Sequence, residues 1–454
     1  MIGLAVGVDY SLFYLRRERE ERAAGRDSRS SLGIAAATSG HAILISGLTV
    51  MAAMAGMFLS GDKTFFSFAE GTILVVAIAM FASLTVLPAL LAWLGDRIEK
   101  GRVPLIGRRR RPAGESRVWS AVVNRVMRRP WLSIAVAGGL LVALAIPALG
   151  MKIVVSSVDD LPKDLAVIQT YDRLRDAFPA EGVTVDVALK GDDLRTGAAA
   201  AGISELRQRA ERSKGVLGPP EATYSADGTA ALISIPTGGN GNDAKSTSAL
   251  EAIRDRVIPG TVGEVDGVAT NVTGNAAQSK DFRDLLTSRL PLIFGFVFAL
   301  TFMLMLVTFR SIVIPIKAIL LNLLSVGAAY GVLVLVFQEG WGEGLLGFSS
   351  NGGVTSWLPL FLFVILFGLS MDYHVFILSR VRELVDRGMG TDAAVSAAVR
   401  GTAGVVTSAA IVMVAVFGIF ATLSSIDFKQ MGVGLAVAVL IDATIVRAVL
   451  LPAW

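Results

Sequence analysis

Nine runs of apolar residues, separated by charge-rich stretches, pattern this chain. They cover 1–15, 38–60, 66–94, 131–150, 290–309, 312–337, 356–379, 402–424 and 428–452. Most reach the ~20 residues that a helix needs to cross a bilayer. Between the fourth and fifth runs lies 151–289, where the apolar positions recur with the periods of a water-facing domain. There the pattern predicts strands at Met151–Ser157, Val183–Lys190, Thr229–Pro236 and near Ala269–Gly274. It predicts helices at Leu165–Phe178, Ala198–Ser213 and Thr247–Val257. That order is close to a split βαβ, ferredoxin-like unit with one helix extra. The expected fold is a polytopic α-helical membrane protein with nine transmembrane helices and one external α/β domain.

Composition narrows the class. Of 454 residues, 53% are hydrophobic and 18% charged, against ~25% charged in ordinary soluble domains. This excludes a cytosolic enzyme and a disordered chain. The absence of cysteine excludes disulfides and thiolate metal sites. With two histidines, His41 and His374, a multi-histidine metal centre is not expected either. The net charge of +4 does not point to nucleic acid, because the arginines cluster in loops beside apolar runs. Arg16, Arg17, Arg19, Arg22, Arg26 and Arg29 follow the first run, Arg108 to Arg111 lie in the 95–130 loop, and Arg380, Arg382 and Arg387 follow the seventh. Placing these loops in the cytoplasm satisfies the positive-inside rule and sets 151–289 outside.

The sequence repeats itself. Val8-Asp9-Tyr10-Ser11-Leu12-Phe13 returns as Met371-Asp372-Tyr373-His374-Val375-Phe376, and Leu87-Pro88-Ala89 returns as Leu451-Pro452-Ala453. Both copies run the same way across the membrane, a parallel repeat of the kind found in transporters. Only eight residues precede Asp9, too few at 1.5 Å rise each for half a bilayer crossing and its approach. A missing N-terminal part, and a missing tail beyond Trp454, are therefore expected.

Candidate chemistry lies in the apolar runs. An ionised aspartate inside the membrane costs ~2.5–3.5 kcal/mol on insertion scales. One alone is as readily polar glue between helices as a working group; two at equivalent repeat positions, each followed by tyrosine, favour work. An aspartate cannot comfortably bond the tyrosine next to it on a helix. Crosswise pairing, Asp9 with Tyr373 and Asp372 with Tyr10, is therefore expected to form a proton relay. Asp442 and Arg447 are five residues apart, ~140° around an α-helix, so they are not expected to pair. Arg447 is expected to snorkel; Asp442, deeper, is a candidate accessory of the proton path, with packing or a structural hydrogen bond as its simpler role. Ser46 and Ser408 match across the repeat to within one residue and extend the candidate polar path, with helix packing as the simpler role for them and for Thr49 and Thr407. His374 is read as a core histidine, His41 as a boundary residue and Glu70 as interfacial. Gly3-xxx-Gly7 and Gly327-xxx-Gly331 are small-residue packing patterns. No nucleotide-binding loop is found, so an ion gradient would have to supply the work, ~2.3 kcal/mol per charge per 100 mV.

Gly7-Val8-Asp9-Tyr10, Gly368-Leu369-Ser370-Met371-Asp372-Tyr373, Ser379-Arg380-Val381-Arg382-Glu383 and Leu440-Ile441-Asp442-Ala443-Thr444-Ile445-Val446-Arg447 resemble the MMPL family of the resistance-nodulation-division (RND) superfamily. The resemblance implies a twelve-helix fold entered within the fourth helix. Residues 1–150 would carry helices four to seven, 151–289 a porter domain, and 290–454 helices eight to twelve. It implies proton-driven export of lipids or other hydrophobic compounds across the bacterial plasma membrane, with Asp9, Tyr10, Asp372 and Tyr373 as the relay. Protons would be the coupling ion, no cofactor would be needed, and the function would be transport rather than catalysis. Partners would be membrane lipids and a hydrophobic substrate, not nucleic acid; a homo-oligomer fits as well as a monomer. A protein-secretion accessory of the RND superfamily and a non-transporting sterol-sensing-type receptor are the alternatives. Retention of both Asp-Tyr pairs argues against the receptor.

Overall fold

The computed structural model describes residues 2–95, 117–155, 161, 165–177 and 183–453; the arginine block at 108–111 lies outside them. In chain order the helices and strands are α1 (Ile2–Ala23), α2 (Ser28–Ser60), α3 (Lys63–Leu94), α4 (Arg117–Arg128), α5 (Pro130–Gly150), α6 (Ala166–Ala177), β1 (Val183–Lys190), α7 (Gly197–Glu211), β2 (Glu221–Tyr224), β3 (Ala230–Thr237), α8 (Ala244–Ala252), β4 (Ala269–Thr273), α9 (Asn275–Phe309), α10 (Val313–Gln338), α11 (Leu358–Asp386), α12 (Thr391–Phe420) and α13 (Ile426–Ala453). They form two compact units, 153–288 and the remainder.

In the helical unit, eight helices among the described residues are long and apolar enough to cross a membrane: α2, α3, α5 and α9 to α13. The chain is thus a polytopic helical membrane protein. Helix α1 is as long as α10's regular part but turns charged after Leu15. Local signals start the helices where the apolar runs begin. Asp27 accepts from the backbone N–H of Arg29 and Ser30 ahead of α2, and Asp62 accepts from Thr64 N–H at 2.8 Å ahead of α3. Pro130 opens α5, where its missing N–H costs nothing. Helix α11 is buried on nearly all sides, with Leu358, Phe363, Phe367 and Met371 fully enclosed.

The repeat is visible in the packing. Each copy forms its own triplet, α1 with α2 and α3, and α11 with α12 and α13. Across the copies α11 lies against α2, and α1 against α12. This reciprocal exchange is what a two-fold relation between parallel repeats requires, and it faces α1 toward α11.

The 153–288 unit is built as β-α-β-β-α-β. Its sheet is antiparallel throughout, in the order β2-β3-β1-β4. Val187 pairs with Ile233 on one side and Val272 on the other. Burial along β1 alternates with period two, so Val185, Val187 and Leu189 meet Ile203 and Leu206 of α7 and Leu250 of α8 in one core. Strand β2 was not anticipated, and the strand expected over Met151–Ser157 shrinks to Ile153–Val154 within the described residues.

Candidate functional site

Asp9 sits on α1 with 2% of its surface exposed. The hydroxyl of Tyr373, on α11, is a hydrogen-bond partner of its carboxyl group and also lies 3.8 Å from Met413 Sδ. One member of each repeat copy therefore meets the other, acid to phenol. The second carboxyl oxygen of Asp9, Oδ1, has no hydrogen-bond partner among the described residues. Asp372 lies on α11 immediately before Tyr373, and its side chain is outside the described residues. Tyr10 is buried, and Ser46 of α2 donates to its hydroxyl at 3.3 Å.

Arg447 changes the expected picture. It is buried, paired with Asp442, and holds its guanidinium 3.6 Å from the centre of the Tyr373 ring. Neither snorkelling nor separation from Asp442 is observed. The reason is the winding of α13: residues Asp442–Leu450 form a π-helix. In that form the hydrogen bond runs from residue i to i+5, so residue 447 comes round above residue 442 instead of ~140° away, as in an α-helix. Ser370 donates to the other Asp442 oxygen at 3.0 Å. His374 is buried, and its Nδ1 lies 3.0 Å from the Ser370 carbonyl; its Nε2 has no partner among the described residues.

The described side chains thus place two carboxyl groups, Asp9 and Asp442, around one guanidinium. Ser408 does not join them. It is exposed and donates to the Gly404 carbonyl in its own helix. Thr407 and Thr49 likewise bond backward within their helices. Among the described residues no group of His, Cys, Asp and Glu could hold a metal ion.

A vestibule of about 290 Å³ lies on the arginine-rich side, lined by the charged Arg16, Arg17, Glu20, Arg380 and Glu383 and by apolar Phe13 and Phe376. Glu383 is the hub of its charge: Arg380 and Arg387 bond it, and Arg17 approaches to 3.8 Å. Phe13 and Phe376, repeat equivalents, stack at 4.2 Å between ring centres. They line both the vestibule and a small cavity that reaches Tyr10 and Ser46.

A sequence profile of the MMPL family matches residues 1–133 and 159–454. The chain is 38% identical to the mycolic acid-containing lipids exporter MmpL11 of Mycolicibacterium smegmatis, an alignment covering 100% of this chain and 48% of that protein. It is 36% identical to the heme uptake protein MmpL11 of Mycobacterium tuberculosis, covering 100% and 47%. It is 29% identical to the trehalose monomycolate exporter MmpL3 of Mycolicibacterium smegmatis, again covering 100% and 47%. The chain spans about half the length of these relatives. Among solved structures, the translocon-associated SecDF of a Thermus species superposes with a TM-score of 0.55 at 17% identity, covering 100% of this chain and 54% of that one; the likeness is one of fold.

Proposed function

This chain belongs to the MMPL family, and from that membership we propose that it serves proton-driven export of lipids or other hydrophobic compounds across the bacterial plasma membrane. Two relatives named as exporters of mycolic acid-containing lipids and of trehalose monomycolate support the substrate class. The contact between Asp9 and Tyr373 carries the mechanism.

Asp9 and Asp442 face a single fixed cation, Arg447. With both ionised, the described cluster carries one uncompensated negative charge, and one proton balances it. Ion pairs buried this deeply are sensitive to such balance, because the low-dielectric interior magnifies each charge. Proton uptake at Asp9 changes its bond to Tyr373, and Tyr373 and its guanidinium neighbour lie on the helices of the other repeat copy. That converts protonation into a changed contact between α1 and the α11–α13 pair. Tyr10 and Asp372 complete the relay from the equivalent positions, and Ser46 extends it. The order of β1 to β4 supports a ferredoxin-like fold for a porter domain, the arginine-rich loops support its outer side, and α1 supplies the ninth crossing.

The test is Asp9→Asn in the protein that carries this chain. Lipid export should fall at least tenfold with membrane insertion unchanged, and the remainder should no longer respond to collapse of the proton gradient. Undiminished, gradient-dependent export would sink the relay.

A further inference from the structure

One amide in the helical unit has no part in the relay as described. Asn322 lies on α10, which belongs to neither Asp-Tyr helix, and only 1% of its surface is exposed. Its Nδ2 donates to the Phe367 carbonyl at 3.3 Å, which fixes the orientation of the amide, since the oxygen cannot occupy a donor's place. The oxygen Oδ1 is then committed to the other side, and there it has no partner among the described residues. Arg447 Nε is likewise buried and without a partner among the described residues.

Both residues line one cavity, together with Ser325, Ser370, Tyr373 and Asp442. Its volume is about 10 Å³, the room that a single ordered water needs. A buried acceptor and a buried donor left unmet are each costly, because both have given up water without replacing it. A group that is both donor and acceptor meets both at once, and water is the smallest such group.

We propose that this cavity is a binding site for one structural water, accepting from Arg447 Nε and donating to Asn322 Oδ1, and that Asn322 is a positioning residue for the relay. The water ties α10 to the guanidinium whose face covers Tyr373 and whose Nη2 pairs with Asp442. The amide thereby holds Arg447 in the orientation that serves both partners. The positioning role rests on the relay reading above; the water site does not.

An experimental structure at a resolution that shows ordered solvent tests the site. Density for one water bonded to both Asn322 Oδ1 and Arg447 Nε is expected, and a dry cavity overturns the proposal. Asn322→Leu, close in volume, should lose that water while keeping the Asp442–Arg447 pair. It should also move the pH profile of export by about one pH unit, equivalent to a tenfold change in an equilibrium. Asn322→Ser, which keeps an acceptor and leaves room for a second water, should restore the profile. If Asn322→Leu lowers only the amount of folded protein and leaves the profile of what remains unmoved, the positioning role is overturned. If instead Asp9→Asn leaves export intact, the relay reading fails while water density in the unaltered protein still upholds the site.

Discussion

Arg447 and Tyr373 are stacked, guanidinium on ring at 3.6 Å, although they come from helices at opposite ends of the second repeat copy. Arginine does here what lysine cannot: a planar cation covers an aromatic face while its edge pairs with Asp442. Arg447→Lys keeps the charge and loses the plane. Export should drop at least tenfold while the protein still reaches the membrane, measured as substrate delivered per copy. Export near the unaltered level would mean that charge alone suffices.

Removing the cation altogether has a different signature. Arg447→Ala leaves Asp442 buried without its partner, a change that costs about 3–5 kcal/mol in buried pairs. The thermal midpoint in detergent should fall accordingly. The double variant Asp442→Asn, Arg447→Met has no unpaired charge and should recover most of that loss. If the double variant is as unstable as the single one, the pair is not the source of the penalty.

Asp9 and Tyr373 should behave as one unit. If their contact is the working step, Asp9→Asn combined with Tyr373→Phe should impair export no more than the worse single change, as expected for residues that act together. Multiplication of the two single effects would show two independent contributions.

The carboxyls of this site were legible because an acid in an apolar run is costly and a repeat doubles the signal. Asp9 and Tyr373 come from that reading. Arg447 was misread because side-chain spacing was converted to angle with α-helical geometry, whereas α13 winds as a π-helix from Asp442, and nothing in the residue period announces that change. Ser408 matches Ser46 only to within one residue: the 363-residue offset that carries Asp9 to Asp372 carries Ser46 to Ala409, which is buried, and Ser408, one place earlier and ~100° round the helix, faces outward. Asn322 carries no motif and stands outside both repeat copies. Strand β2 is four residues long, too short for alternation to separate it from a loop.

Gly331 and Gly139 should respond oppositely to alanine. A Cβ on Gly331 of α10 would run into the Leu144 carbonyl of α5, whereas one on Gly139 meets nothing within 4 Å. Backbone cannot rotate aside as a side chain can, so Gly331→Ala must part the helices. Overpacking of this kind costs about 1–3 kcal/mol. Gly139→Ala should be neutral or slightly stabilising, because alanine is the better helix former. Thermal midpoints of the two variants check this, and equal behaviour would contradict the close approach of α5 and α10.

Acid should weaken the β2–β3 hairpin in a narrow window. Asp227 accepts from Ser225 Oγ at 2.7 Å, Thr229 N–H at 3.1 Å and Thr229 Oγ1 at 2.9 Å. These bonds, the Ser225 hydroxyl first, hold its carboxyl at about 2, below the ordinary 3.8. The folded hairpin therefore favours the ionised form. A depressed value stabilises the fold above the unfolded-state pKa, and that contribution disappears as pH falls from about 4 toward about 2. Asp227→Asn cannot ionise and has nothing to lose over this range. The protection of hairpin amides against hydrogen exchange, unaltered protein relative to Asp227→Asn and each corrected for intrinsic rates, should be greatest near neutrality. It should converge toward that of the variant as pH approaches about 2. A difference that stays constant from neutrality to that pH would show that the three bonds do not discriminate between the ionised and neutral carboxyl, and that the turn is held by Gly228, with its φ of +76°, and the strand ladder alone.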